Sequence, residues 1–347
     1  MENALVERSQ SSRENSSFAI VYLGKKIPKY IFSNLRNIVK NFPDRDVWLI
    51  TEKNVKIRKT KVNNFKLFEV DDQEEIYEVL KRSELDNKFR QGFWKKTLFR
   101  LYAIAEFTKH VDKRIIQVEG DVHLFNSFPV DIFDLLDCEI AFPMETIEKG
   151  APSTLFIKNK ESALKFIEIM NQALSKNSHH TDMTLLGALT EATQLDLCLL
   201  PSWNKKIDYS KKLHVNSKND LTKFRGIFDT TTLGIYLTGE DPRNHQGMLK
   251  LFTESSNHIS KPSEAKLRYI KNNLLISIDG CNEFFVHSLH LHSKQLKLFN
   301  ENKLRKTLIK NINDSKETSA QKRLYYLTIK LSINKIIKTL LLRRNNR

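Results

Sequence analysis

The sequence predicts an α/β fold, a mostly parallel sheet flanked by helices. Short β-prone runs alternate with segments whose apolar residues recur at helical spacing, as in strands joined through helices. The 347 residues are 40% hydrophobic and 10% aromatic with only 10 Gly and 8 Pro. That composition supports a sizeable core and excludes collagen-like, low-complexity and wholly disordered chains. No internal repeat and no Pro-, Gly- or Ser-rich linker divides the chain. One elaborated domain over residues 18–300 is expected, between a polar, flexible lead (1–17) and a basic helical tail (301–347).

Phe18 to Leu23 (FAIVYL) reads as the first strand, and Ile27, Ile31, Leu35, Ile38 and Val39 follow at helical spacing. Val47 to Ile50 is a second strand after a turn at Asn41 to Asp44, and Phe65 to Val70 a third. A helix is expected over Glu74 to Lys81, and a longer one over Trp94 to Phe107, striped by Trp94, Leu98, Leu101 and Ala105. Arg114 to Val118 (RIIQV) is a buried strand. Further strands are expected at Cys138 to Phe142, Ser153 to Ile157 and Leu195 to Leu200, with helices at Glu161 to Leu174 and Met183 to Leu189. Residues 201–270 are polar and unpatterned, and Leu274 to Ile278 and Glu283 to Leu289 close the series as strands.

The formal charge of +16 is unevenly distributed. Residues 301–347 hold 13 Lys or Arg against three acids, a net of +10, which leaves +6 for the body. A mildly basic body argues against nucleic acid as the partner. Cys138, Cys198 and Cys281 have neither zinc-site nor disulfide-scaffold spacing, as expected in a reducing compartment. No run of 18 apolar residues and no apolar signal core is present, so a cytoplasmic protein is expected.

The most informative stretch is RIIQVEGDVHLFNSFP, from Arg114 to Pro129. A buried strand ending in Glu119, Gly120 and Asp121 places two carboxylates at the carboxyl edge of a parallel sheet, where open α/β proteins bind ligands. Gly120 lets the backbone turn there without a side chain in the way. The carboxylates read either as a solvated turn or as hard oxygen ligands for Mn²⁺ or Mg²⁺ beside a diphosphate. His290 and His292 stand two apart, so an extended segment projects both to one face, as metal ligands or as hydrogen-bonded core histidines. Ser293 and Lys294 follow, with donors for phosphate oxygens. Asp182 either caps the helix it precedes or acts on an acceptor hydroxyl, and Asp229 and Asp241 share that ambiguity. Trp94 and Tyr22 offer ring faces to a uracil or guanine base, or serve as buried aromatics.

The Glu119-Gly120-Asp121 segment resembles the DxD motif of GT-A glycosyltransferases, particularly bacterial enzymes that build surface polysaccharide. Four further blocks are similar to recurring segments of those enzymes: FWKKTLFRLYAIAEF (Phe93 to Phe107), HHTDMTLLGAL (His179 to Leu189), FDTTTLGIYLTGEDPRN (Phe228 to Asn244) and LHLHSKQLKLF (Leu289 to Phe299). The resemblance implies a nucleotide-sugar donor held by Arg100 and Lys294, and a late histidine, His290 or His292, completing a metal site with Asp121. It implies a catalytic carboxylate at Asp182 or Asp229, and a shaped substrate loop carrying Asp241 and Arg243 with Gly234 and Gly239. Glu119 departs from the commonest motif, which has Asp there, so Asp121 is the expected ligand and Glu119 a contact to ribose or to an inner-shell water. A sugar-binding or scaffold protein without catalysis is the alternative this departure permits.

Residues 319–344 (SAQKRLYYLTIKLSINKIIKTLLLRR) carry Ile329, Ile333, Ile336, Ile337, Leu340 and Leu341 on one helical stripe, with Lys335, Lys338, Arg343 and Arg344 mostly off it. Such a helix either lies on an anionic membrane surface or packs on the body with a solvated basic face. Peripheral attachment to the inner face of the cell membrane, near a lipid-linked glycan acceptor, is the expectation.

Overall fold

A computed structural model describes residues 15–53, 55, 57, 64–70, 83–85, 92–203, 221–239, 266–277, 282–292 and 295–316. The expected helix at Glu74 to Lys81 and the amphipathic segment 319–344 lie outside these residues.

The first sheet begins with β1 (Ser17–Tyr22), followed by α1 (Lys29–Asn41), β2 (Val47–Glu52), β3 (Lys66–Val70), α2 (Phe93–Val111) and β4 (Ile115–Val118). β3, β2, β1 and β4 lie side by side, all parallel. β1 is apolar at successive positions because both of its faces are covered. Ala19 and Val21 point to one face and join an apolar cluster with α2, while Phe18 and Ile20 point to the other and meet Ile31, Leu35 and Ile38 of α1. The expected mostly parallel sheet between helices is found, and its α/β frame is set by this alternation.

After β4 comes β5 (Val122–Leu124), then α3 (Val130–Asp134), β6 (Ile140–Thr146), β7 (Lys149–Gly150), β8 (Thr154–Ile157), α4 (Lys160–Lys176), α5 (Asp182–Leu189) and β9 (Leu197–Leu200). β8 joins β4 antiparallel, β6 joins β8 antiparallel, and β9 runs parallel beside β6. α4 covers the same face as α2, through Phe166, Ile169 and Met170.

After residue 200 the two late strands are found where expected, at Asn273–Ser277 and Glu283–His290, and the polar stretch before them contains elements that its pattern does not announce. α6 (Leu221–Phe224), β10 (Gly226–Phe228), α7 (Thr232–Thr238), β11 (Lys266–Ile270), β12 (Asn273–Ser277) and β13 (Glu283–His290) follow, and four of them build a second sheet, in the order β10-β13-β12-β11. The segment Phe228 to Asn244 is therefore no plain loop, since residues 232–238 are helical. β5 pairs with β13, so the chain leaves the first sheet at β4 and enters the second at β5 with only Glu119, Gly120 and Asp121 between. α8 (Glu301–Lys316) packs on the second sheet through Leu304, Leu308 and Ile312. The opening of the segment expected as a tail is thus part of the core.

Candidate active site

The two sheets meet at the acidic loop, and the loop is held from behind by α1. Asn34, fully buried, donates from Nδ2 to the carbonyl oxygens of Gly120 (3.2 Å) and Val122 (2.8 Å). A Cβ on Gly120 would come within 2.0 Å of Ile31 Cδ1. Gly120 has no left-handed φ, so closeness to α1, not backbone freedom, calls for glycine there. Pairing of β5 with β13 sets His290 opposite Val122, and the Leu291 amide donates to the Asp121 carbonyl at 2.7 Å.

Glu119, Asp121 and His290 are all buried, and one ligand atom from each lies within 4.8 Å of the others. His290 Nδ1 is 2.8 Å from the Thr230 carbonyl oxygen, which makes Nδ1 the protonated nitrogen and turns Nε2 toward the carboxylates. Nε2 lies 3.4 Å from Asp121 Oδ2 and 3.9 Å from Glu119 Oε2. Burial opposes a charge on His290, but Asp121 and Glu119 outweigh it and raise its pKa to about 9. Two carboxylates with one imidazole aimed between them fit Mn²⁺ or Mg²⁺. His292, by contrast, follows a turn: its amide donates to the His290 carbonyl at 2.8 Å, so the extended segment expected to project both rings to one face ends at His290. His292 lines the cavity outside the three-residue group.

Arg100 on α2 ties the acidic loop to α5. Its Nη2 is 2.7 Å from Glu119 Oε1 and 3.3 Å from Asp182 Oδ2. Glu119 therefore presents one oxygen to Arg100 and the other toward His290. Burial disfavours the guanidinium charge, yet Glu119, Asp182 and Asp121 together hold Arg100 protonated more firmly than usual. The carboxyl of Asp182 is raised by burial against the pull of Arg100. Asp182 does not cap α5. Thr181 does, in a reciprocal pair with Thr184, and Asp182 is left to face Arg100.

A cavity of about 710 Å³ opens over these groups. Tyr22, Trp94, Arg100, Glu119, Asp121, Asp182, His290 and His292 all line it. Asp229 does not: it is fully buried, and its oxygens accept from the amides of Leu233 (3.0 Å), Gly234 (2.8 Å) and His290 (3.0 Å). Burial raises its carboxyl to about 6 against those three donors. A carboxylate so enclosed cannot reach an acceptor hydroxyl, which corrects the catalytic expectation for Asp229. Asp241, Arg243 and Lys294 lie outside the described residues. The cavity also takes in Lys25, Lys96, Thr97, Thr230 and Thr231, which the sequence reading passed over. Lys96 and Thr97 stand four and three residues before Arg100, a helical spacing that places them on its face.

No protein-family model matches the chain, and no curated protein matches it. Among solved structures, the apo form of mouse xyloside xylosyltransferase 1 is similar at 10% identity and a TM-score of 0.39, over 60% of this chain and 93% of that one. Galactosyltransferase LgtC, in complex with donor and acceptor sugar analogs, is similar at 13% identity and a TM-score of 0.40, over 58% and 84%. The PaToxG glycosyltransferase follows at 10% identity and a TM-score of 0.32, over 52% and 69%.

Proposed function

We propose that the protein is a metal-dependent glycosyltransferase of GT-A type that moves a sugar from a nucleotide-sugar donor to a glycan acceptor. The observation that carries this reading is the convergence of Glu119, Asp121 and His290 on a cavity that Arg100 and Asp182 also line. Breaking the bond between the anomeric carbon and the nucleoside diphosphate leaves negative charge on the departing oxygen. Arg100, held cationic by the neighbouring carboxylates, stabilises that charge. A divalent ion, Mn²⁺ or Mg²⁺, supplies Lewis-acid stabilisation of the diphosphate when bound. Asp121, Glu119 and His290 are the residues that would hold it. Asp182 takes the proton of the acceptor hydroxyl in an inverting transfer, or orients the acceptor in a retaining one. Tyr22 and Trp94 flank the base, while Lys294, Asp241 and Arg243 complete the donor and acceptor sides as the sequence resemblance implies.

Incubation with Mn²⁺ and a panel of nucleotide sugars is expected to give slow hydrolysis of one donor, lost in Asp121→Ala. A folded protein that neither binds nor hydrolyses any of them would overturn the reading.

The acceptor in this proposal is a bacterial cell-surface glycan, lipopolysaccharide or capsule, reached from the inner face of the membrane. No helix among the described residues is long and apolar enough to cross a membrane. The basic segment 319–347 provides attachment to anionic lipid, with each basic residue near the surface contributing about 1 kcal/mol. Deleting 319–347 is expected to abolish binding to phosphatidylserine-containing vesicles while leaving donor hydrolysis intact; vesicle binding that survives the deletion refutes the attachment.

A further inference from the structure

We infer that Asp229 is a positioning residue that locks His290 into the geometry of a metal ligand. The inference rests on the metal-dependent reading above and adds a residue that never touches substrate or ion. His290 is the last residue of β13, and pairing with Val122 together with the Leu291 amide sets the course of its backbone, but neither contact reaches its own amide or its ring. The Asp229–Thr230 pair holds it at two points. Asp229 Oδ2 accepts from the His290 amide at 3.0 Å, and the Thr230 carbonyl meets His290 Nδ1 at 2.8 Å. The first contact fixes the His290 amide, and the second fixes ring orientation and keeps a proton on Nδ1, so that Nε2 is the nitrogen facing Asp121 and Glu119.

Asp229 is itself anchored by the first turn of α7. Oδ1 accepts from Leu233 N at 3.0 Å and Oδ2 from Gly234 N at 2.8 Å, so one side chain joins the start of that helix to the end of β13. Gly234 allows the close approach: a Cβ there would lie 1.8 Å from the His290 carbonyl oxygen and 2.9 Å from Asp229 Oδ2. A neutral isostere presents only one acceptor, so Asn at 229 gives up part of this three-amide clamp without changing volume.

The test is a double-mutant cycle on Mn²⁺ affinity, read by electron paramagnetic resonance on the full chain without donor. Asp229→Asn is expected to weaken Mn²⁺ binding about 10- to 100-fold. In a His290→Ala background the same change is expected to have no further effect beyond about twofold, because the ring it positions is gone. Unaltered Mn²⁺ affinity in Asp229→Asn, or an equal loss in both backgrounds, overturns the inference. So does a fall in kcat at unchanged Mn²⁺ affinity, which would restore Asp229 as a base. A wild-type chain that binds no Mn²⁺ defeats the metal reading itself, a separate outcome. Should Asp229→Asn fail to fold, NMR of the Mg²⁺-loaded wild type decides: slow solvent exchange of the His290 amide with a coupling across its hydrogen bond to the Asp229 carboxylate supports the clamp, and a fast-exchanging, uncoupled amide contradicts it.

Discussion

Asn34 and Ile31 lie three residues apart on α1 and press on one loop from the same side, Ile31 by contact with Gly120 and Asn34 by its two hydrogen bonds. Asn34→Ala strands two buried carbonyls. At about 1–3 kcal/mol for an unmet buried partner, a loss near 2 kcal/mol in chemical denaturation is expected; a change under about 0.5 kcal/mol would show that the loop holds itself. The acids of that loop were legible because a run of apolar residues ending in carboxylates is a local pattern. Their partner was named only through the family resemblance, as His290 or His292, and not from periodicity. His290 meets Asp121 only through pairing of Val122 with a strand more than 150 residues later, and periodicity within a window carries no trace of that pairing. Asp229 stayed open between helix cap and catalytic acid for the same reason: an acid before a helix looks alike whether its oxygens face a cavity or three backbone amides, and here two of the three amides belong to the first turn of α7.

At the scale of elements, α5 shows how packing directs a site residue. It lies against the β7 turn so closely that a Cβ on Gly187 would fall 1.9 Å from the Glu148 backbone oxygen. That oxygen cannot swing aside as a side-chain tip could. Gly187→Ala gains about 1 kcal/mol in helix propensity but incurs about 1–3 kcal/mol in overpacking. A net destabilisation with a lower Tm is therefore expected, together with displacement of Asp182 and reduced donor turnover; a stabilised, fully active variant would show that α5 has room to move. β5, α3 and β7 are too short to show a period, but the other helices and strands described before residue 200 were readable because their apolar residues follow one. β10, α7 and β11 were not, since they are short and sit in polar sequence. The first gains its burial by pairing with β13, and the last by pairing with β12 beneath α8.

Across the whole molecule, the second sheet gives the acidic loop its setting. A single parallel sheet would leave Glu119 and Asp121 at an open carboxyl edge. Here β5, β13 and α7 close over that edge, bury the carboxylates and bring a histidine to them. The charge division along the chain agrees with this: acids gather in the cavity of a body at +6, and residues 301–347 carry the remaining +10. The fold class was legible from alternation, but the second sheet, on which the site depends, was not. The most direct test is anomalous diffraction at the manganese edge from crystals grown with Mn²⁺. The expected result is one strong peak per chain bounded by Asp121, Glu119 and His290 Nε2, lost in crystals of Asp121→Ala. A wild-type peak held by other residues, or none at this site at saturating Mn²⁺, would contradict the account.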